Sequence, residues 1–189
     1  MRLTSPPAAK RPAIRAEQMI LFSIGSQLFA VSASSVQEIR SADSIRGAPS
    51  DIPQPEFRKV RYIVRRARQP LYIVHGGTHF GLPVSHAALV FLFRNRRAAL
   101  LVDAIDRMAA ITRLQAVPQA FCNEERIWYR GFVAMENAVI PVVNPDGLLR
   151  PDELAWLDAA VESAALESVA AEAPALDTPG EFTEGAHRA

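Results

Sequence analysis

The sequence predicts an all-β protein, built as one barrel or a pair of barrels and followed by a terminal helix. Three observations favour this fold. Short runs of β-branched and aromatic residues recur along the chain, each bounded by Gly, Pro, Asn, Asp or Ser. The runs come in pairs joined by brief polar links, which is typical of hairpins. Only beyond residue 150 does the composition change to Ala, Leu and Glu with apolar residues at helical spacing.

The first hairpin opens the structured part of the chain. Residues 19–22 and 28–31 are apolar runs, and Gly25 between them is a turn signal. The sequence VQEIR at Val36–Arg40 predicts a third strand, and no residue up to this point has the character of a catalytic group. The stretch 41–56 is rich in Ser, Asp, Gly and Pro, and it predicts a loop.

Three more hairpins are predicted downstream. They pair residues 60–64 with 71–74, 89–93 with 98–102, and 128–135 with 138–143. The middle hairpin is apolar on both faces, which is typical of strands buried between two layers. The composition of 104–111 fits a helix, but so short a segment does not decide between helix and strand.

The two ends of the chain carry opposite charges. Residues 1–16 contain arginine, lysine and three prolines but no acid, and they predict a disordered basic tail. The folded domain is predicted at 17–150. Residues 151–172 predict a C-terminal helix with acids in its first turn. Residues 173–189 contain Pro and Gly among acids, and they predict a disordered acidic tail.

The overall composition excludes several classes of protein. Apolar residues make up 49% of the chain and the net charge is +1, so no global field favours nucleic acid or an anionic membrane. Cys122 is the only cysteine, which excludes an internal disulfide and favours a reducing compartment. No apolar run approaches the roughly 18 residues of a membrane span. We therefore expect a cytoplasmic protein with no direct membrane insertion.

No group of residues in the sequence predicts catalysis. His75 and His79 flank two glycines at a strand end, but no third ligand converges on them, so we expect solvated loop histidines and no metal site. Asp103 and Asp106 have no second carboxylate pair with which to perform general acid/base work. The chain has no glycine-rich phosphate loop. We expect no enzymatic activity and no cofactor.

A basic hairpin leaves an alternative function open. Arginine and lysine side chains crowd Arg58–Arg68, and Tyr62 and Tyr72 are interleaved with them. A small nucleic-acid-binding barrel presents such a pattern. The same charges would also protect an exposed hairpin edge from aggregation, or meet an acidic protein partner. Because the rest of the chain is not basic, nucleic acid is the alternative and not the expected partner.

The apolar residues exceed those that one small sealed barrel needs. Two barrels packed side by side would use the excess and would leave a groove for a partner helix. For each such side chain, a place in the core is the competing interpretation. The residues concerned are Val36, Ile39, Phe91, Phe93, Val102 and Ile105.

In several of these elements the chain resembles the CheW family, the chemotaxis coupling proteins. The first hairpin has the family's apolar strand, glycine turn and F-x-V pattern, and VQEIR is similar to its V-x-E-I element. VFLFRNRRAALLVDAI at 90–105 resembles its strand, turn and strand ending in V-D. AVP at 116–118 and the hairpin containing GFV at 131–133 and IPVVN at 140–144 follow in the family's order. The resemblance rests on this ordered series from about Met19 to Leu157.

The resemblance implies two small SH3-like β-barrel subdomains packed together around a shared apolar core, with a C-terminal helix. It also implies a non-enzymatic adaptor of two-component signal transduction. In such a protein one surface engages the regulatory domain of a CheA-type histidine kinase. A groove between the barrels engages the cytoplasmic tip of a chemoreceptor. The residues at matching contact positions are Val36, Glu38, Ile39, Arg40, Arg65, Val102, Asp103 and Ile105.

One hairpin departs from the family pattern. Family members have N-L-R-G before their next strand, and neither the Asn nor the Gly is present here. Counting back from Pro70 places Arg65 on the family's arginine, whereas counting back from Phe80 places Ala67 there. Both registers remain open from the sequence, and the departure is consistent with a divergent member.

Overall fold

The computed structural model describes residues 16–50, 52, 54–66, 69–84, 86–135 and 138–172. The two predicted tails lie outside these residues except for Ala16, and so does the turn predicted at Glu136 and Asn137. The described residues form eleven strands. In chain order they are β1 (Glu17–Ile24), β2 (Gln27–Ser32), β3 (Val36–Ser41), β4 (Ala48–Pro49), β5 (Val60–Val64), β6 (Leu71–His75), β7 (Leu89–Phe93), β8 (Ala98–Val102), β9 (Ala104–Ile111), β10 (Tyr129–Met135) and β11 (Ala138–Val143).

The strands form two sheets. The first sheet has the order β10-β11-β2-β1-β9, and the second has the order β3-β7-β8-β6-β5-β4. All four predicted hairpins are present as antiparallel pairs: β1 with β2, β5 with β6, β7 with β8, and β10 with β11. One parallel contact in each sheet, β2 with β11 and β6 with β8, brings together strands from different hairpins.

Each sheet encloses its own apolar cluster. The cluster of the first sheet consists of Met19, Leu21, Ala30, Val133, Ile140 and Val142. The cluster of the second sheet consists of Leu71, Ile73, Val90, Leu92, Ala99 and Leu101. These are alternate residues of their strands, as the pleat of a β-strand requires. The predicted pair of small barrels is therefore confirmed, and from here on they are called the first and the second barrel.

The remaining alternate residues form a layer between the two sheets. Phe22 of β1 and Phe91 of β7 are fully buried, and their rings meet edge to face with centroids 5.1 Å apart. Strands β6 and β8 are buried along their whole length. The prediction that the middle hairpin, β7 and β8, is buried between two layers is confirmed, because β8 is buried throughout and β7 is buried except for the partly exposed Leu89.

The structure resolves the ambiguous segment 104–111 as strand β9, which pairs with β1. Two short helices were not predicted: α1 (Gly76–His79) and α2 (Asn123–Trp128). Helix α2 starts with a capping box in which Cys122 takes the place usually held by Ser or Thr. Cys122 Sγ accepts from the Glu125 N–H at 3.5 Å, and Glu125 Oε2 accepts from the Cys122 N–H at 3.2 Å.

The C-terminal helix is confirmed as α3 (Pro151–Glu172). It begins at a proline, which has no backbone N–H to leave unpaired in the first turn. Asp152 and Glu153 follow in that turn, where negative charge is favourable because of the helix dipole.

Candidate partner-binding surfaces

Four of the eight predicted contact residues lie on β3 and one, Ile105, lies on β9, and each of these is an edge strand of its sheet. Strand β3 is the outermost strand of the second barrel's sheet, and β9 is the outermost strand of the first barrel's sheet. Every residue of β3 after Val36 is exposed or only partly buried, and so is every residue of β9. An edge strand presents both side chains and unpaired backbone groups to a partner.

Glu38 and Arg40 lie on the inner face of the second barrel. They stand opposite Leu92 and Val90 of β7, and residues directly opposite in an antiparallel pair share a face. Arg40 donates from Nε and Nη2 to the two carboxylate oxygens of Glu38, at 2.8 and 2.9 Å. These hydrogen bonds from Arg40, with the field of Arg66 as a smaller contribution, lower the pKa of Glu38 below its usual value.

Val36 and Ile39 lie on the opposite face of β3. They stand across from Phe93 and Phe91, which belong to the layer between the sheets. Val36 is only 7% exposed, so it contributes to the core, whereas Ile39 is half-buried. The predicted set on β3 is therefore divided between the two faces of the strand.

Arg65 lies just after β5, and its side chain is exposed. Because β5 pairs with β6 and ends at Val64, Arg65 lies at the rim of the second barrel. Ala67, the alternative match to the family arginine, lies outside the described residues. The register of this hairpin relative to the family pattern stays open.

The second predicted group, Val102, Asp103 and Ile105, contains one residue with an exposed apolar side chain. Val102 is fully buried at the end of β8. Asp103 Oδ2 accepts a hydrogen bond from the Gly25 N–H at 2.6 Å, which holds this residue against the turn of the first hairpin. Ile105 is 39% exposed, and Met108 on the same strand is 61% exposed. Met108 is not among the predicted contact residues, because the pattern of its segment does not decide between helix and strand.

The two groups of predicted residues approach each other at one end of β7. Val36 pairs with Phe93 at the far end, about 13 Å away at the usual rise per residue, whereas Arg40 pairs with the residue next to Leu89, the partner of Val102. The exposed residues of β3 and of β9 nevertheless belong to edge strands of different sheets. We call them the β3 surface and the β9 surface.

The family model of the CheW-like domain matches residues 18–153. The chain belongs to the CheW family. The family membership agrees with the fold of two SH3-like subdomains and a C-terminal helix.

Two comparisons show how far the chain diverges within the CheW family. It is 27% identical over 154 residues to the chemotaxis protein CheW of Rhizobium meliloti (strain 1021), covering 77% of this chain and 96% of that protein. Its structure matches the crystal structure of the scaffolding protein TtCheW from Thermoanaerobacter tengcongensis with a TM-score of 0.60 at 15% identity. That match covers 79% of this chain and 96% of the other.

Among the described residues, no helix is both long and apolar enough to cross a membrane.

The prediction of solvated loop histidines in this CheW family member was wrong for His75 and His79, which are 7% and 4% exposed. His75 caps helix α1, because its Nδ1 accepts from the Thr78 N–H at 3.3 Å. His79 lies against Phe80 and Trp128, with ring centroids 4.7 Å from each. Burial lowers the pKa of His79 to about 3, and neither of its ring nitrogens has a hydrogen-bond partner in the described structure. Within the described residues, no group of three His, Cys, Asp or Glu side chains is placed to hold a metal.

The two tyrosines of the basic hairpin offer little exposed ring surface on which bases could stack. Tyr72, one of its two interleaved tyrosines, is fully buried, and the Arg97 guanidinium lies 5.5 Å from the centre of its ring. Tyr62 packs partly against the apolar cluster of the second barrel. Bases stack on exposed rings, so these positions do not favour the nucleic-acid alternative.

Proposed function

We propose that this chain is a non-enzymatic adaptor that couples a chemoreceptor to a CheA-type histidine kinase. Membership of the CheW family supports the proposal, together with the names of its relatives, a chemotaxis protein and a scaffolding protein. The partners would be the regulatory domain of the kinase and the cytoplasmic tip of the receptor.

The observation that carries the proposal is that each sheet ends in an exposed edge strand, β3 in one and β9 in the other, because an adaptor must hold two partners at once. The β3 surface presents the exposed charges of Glu38 and Arg40 on one face of the strand, with Arg65 exposed in the chain after β5, and the half-buried Ile39 on the other face. An edge strand with exposed charges suits a folded domain of the kinase. The β9 surface offers the exposed side chains of Ile105 and Met108, and apolar side chains on one strand suit the apolar face of a receptor helix.

The adaptor would act through binding free energy alone. If the complex of adaptor and receptor binds one conformation of the kinase more tightly, the kinase population shifts by that difference in affinity and no further. No bond is made or broken by the adaptor in this mechanism.

The kinase contact is tested by measuring the affinity of the purified protein for the CheA-type kinase of its own cell, at two salt concentrations. We expect Glu38→Lys to weaken binding by at least tenfold, because it reverses the charge in the middle of the β3 surface. Glu124→Lys is the matched control, since Glu124 lies on α2 with its side chain 75% exposed and belongs to neither surface. Unchanged kinase affinity of a folded Glu38→Lys protein would exclude the β3 surface as the kinase contact.

The receptor contact is tested with Ile105→Asp, which places a charge among the exposed apolar side chains of β9. We expect this variant to lose co-sedimentation with receptor-containing membranes while it keeps its kinase affinity. Loss of both activities in a folded variant, or of neither, would contradict the assignment of separate partners to the two surfaces.

A further inference from the structure

The sheet of the second barrel ends at β3 on one side and at β4, which pairs with β5, on the other, and in the described residues no strand pairing joins these two edges. Two adjoining cavities of about 320 and 370 Å³ lie in this gap, and both are lined by Arg66 and Leu71. Together they form a slot that runs from Arg46 at one end to Arg97 at the other. We call this feature the barrel slot.

The barrel slot is positively charged. Arginine side chains line it along its length, and none of its described lining residues is acidic; the arginines are Arg40, Arg46, Arg66, Arg96 and Arg97. Arg40 is paired with Glu38, and Arg96 donates to Asp146. Within the described residues Arg46 and Arg66 form no ion pair, although Arg66 lies close enough to Glu38 for its field to help lower the pKa of that carboxyl. The slot therefore retains cationic groups that a carboxylate can pair with.

The floor of the barrel slot is aliphatic. Its lining includes Leu71, Ile73, Val90 and Leu92, which belong to the apolar cluster of the second barrel. Phe93, the one aromatic residue in the lining, is only 3% exposed and belongs to the layer between the sheets. A floor of this kind accommodates branched aliphatic side chains and offers no platform on which a base can stack.

One border of the slot is the free edge of β3. The Ala42 N–H donates to the Ala88 carbonyl at 2.8 Å, just beyond the end of the β3–β7 ladder. In an antiparallel ladder, alternate residues direct their backbone groups to opposite sides, so the N–H and C=O of Ile39 face away from β7. No described residue forms a hydrogen bond with them there. An added strand would supply the missing partners.

We propose that the barrel slot binds an extended acidic segment of a partner protein, which alternates carboxylate and aliphatic side chains and adds to β3 as a further strand. The carboxylates pair with Arg46 and Arg66, and the aliphatic side chains, on the other face of the added strand, cover the floor. The inference goes beyond the proposed function: β3 also borders the proposed kinase contact, but the barrel slot is a further site, and its occupation by the acidic segment does not require the kinase.

The test uses the whole protein and a fluorescein-labelled eight-residue peptide that alternates Glu and Val. Fluorescence anisotropy measures its affinity for the wild type and for Arg46→Glu and Arg66→Glu. We expect each substitution to weaken binding by at least tenfold. Arg113→Glu is the matched control, because Arg113 is exposed and lies outside the slot, and we expect its affinity to stay within twofold of wild type.

Three further probes distinguish the mode of binding. A Lys-Val peptide and a single-stranded oligonucleotide should bind at least tenfold more weakly than the Glu-Val peptide. Two N-methylated versions of the Glu-Val peptide are compared, one methylated at every Glu and the other at every Val. Only one of them should lose affinity, because only one set of backbone N–H groups would face β3. Equal binding by wild type and Arg66→Glu, tighter binding of the oligonucleotide, or undiminished binding of both methylated peptides overturns the proposal.

The outcome is separable from that of the proposed function, since the peptide assay contains no kinase. Loss of peptide binding in Arg46→Glu with kinase affinity retained supports the barrel slot and shows that the kinase does not depend on it. Absence of peptide binding to the wild type, with kinase bound normally, overturns the slot alone.

Discussion

The backbone N–H of Gly25 donates a 2.6 Å hydrogen bond to Oδ2 of Asp103, a residue 78 positions later in the chain. The Asp103 N–H in turn donates to the Ser23 carbonyl at 3.0 Å. These bonds join the turn of the first hairpin to the junction between β8 and β9. Asp103, one of the predicted contact residues, thus ties the first sheet to the second.

We predict that Asp103→Ala lowers the free energy of unfolding by about 1 kcal/mol, because it removes a charge-assisted hydrogen bond at a partly exposed site. Urea denaturation measures this loss. Asp103→Asn keeps an acceptor oxygen and should recover part of the stability. If Asp103→Ala is as stable as the wild type but binds the kinase or the receptor less well, the residue acts by direct contact and the structural role is wrong.

The strands that could be predicted from the sequence are those whose pattern is local. The four hairpins have paired apolar runs separated by turn residues, so their signal is complete within about 15 residues. Strand β9 has no such signal, because its partner β1 lies far away in the sequence. Its Ala-rich composition suits a helix as well as a strand, and the pairing with β1 decides the outcome.

The candidate surfaces could be predicted only in part. The sequence placed Val36, Glu38 and Ile39 on one strand, and this is confirmed. Which face each side chain takes depends on the register of β3 against β7, where a bulge follows Val36. A register set by residues more than 50 positions away is not visible in a five-residue motif. The burial of His79 was missed for the same reason, since Trp128, against which it packs, lies far along the chain.

The rings of Phe22 and Phe91 provide a test of the layer between the sheets. We predict that Phe22→Leu and Phe91→Leu each lower the free energy of unfolding by about 1 kcal/mol. The double variant should show a coupling of about 0.5–1 kcal/mol, because each ring stabilises the other edge to face. The control pairs Phe22→Leu with Phe132→Leu, since the Phe132 ring packs on Phe121 and Tyr129. Additive effects for Phe22 and Phe91 would contradict a direct contact between the sheets.

Two glycines should respond differently to alanine. A Cβ on Gly147 would collide with the carbonyl oxygen of Ile127 and would lie 2.9 Å from Cα of Trp128, both backbone atoms. We expect Gly147→Ala to cost about 3 kcal/mol of stability, since the backbone must move. Gly25 has open space around it but a φ of +59°, so Gly25→Ala should cost only about 1 kcal/mol. Denaturation midpoints of the two variants measure the difference, and equal losses would refute the steric explanation.

Buried His79 should make the protein less stable in mild acid. Its pKa is about 3 in the folded state against an ordinary value of 6.5, because burial penalises the charged form and Lys59 adds a repulsion. The unfolded chain therefore binds a proton that the folded chain does not. As a result, the free energy of unfolding is highest above pH 6.5 and falls as the pH decreases towards 3. At pH 5 the loss is about 2 kcal/mol.

Urea denaturation at pH 7.5 and pH 5 measures this loss. We predict that His79→Phe, which keeps a ring against Phe80 and Trp128, reduces the difference in the free energy of unfolding between the two pH values by about 2 kcal/mol. His86→Asn is the control, because His86 is exposed and its replacement should leave the difference unchanged. If His79→Phe is as sensitive to acid as the wild type, then His79 is either protonated in the folded state or open to water, and its burial does not govern the acid response.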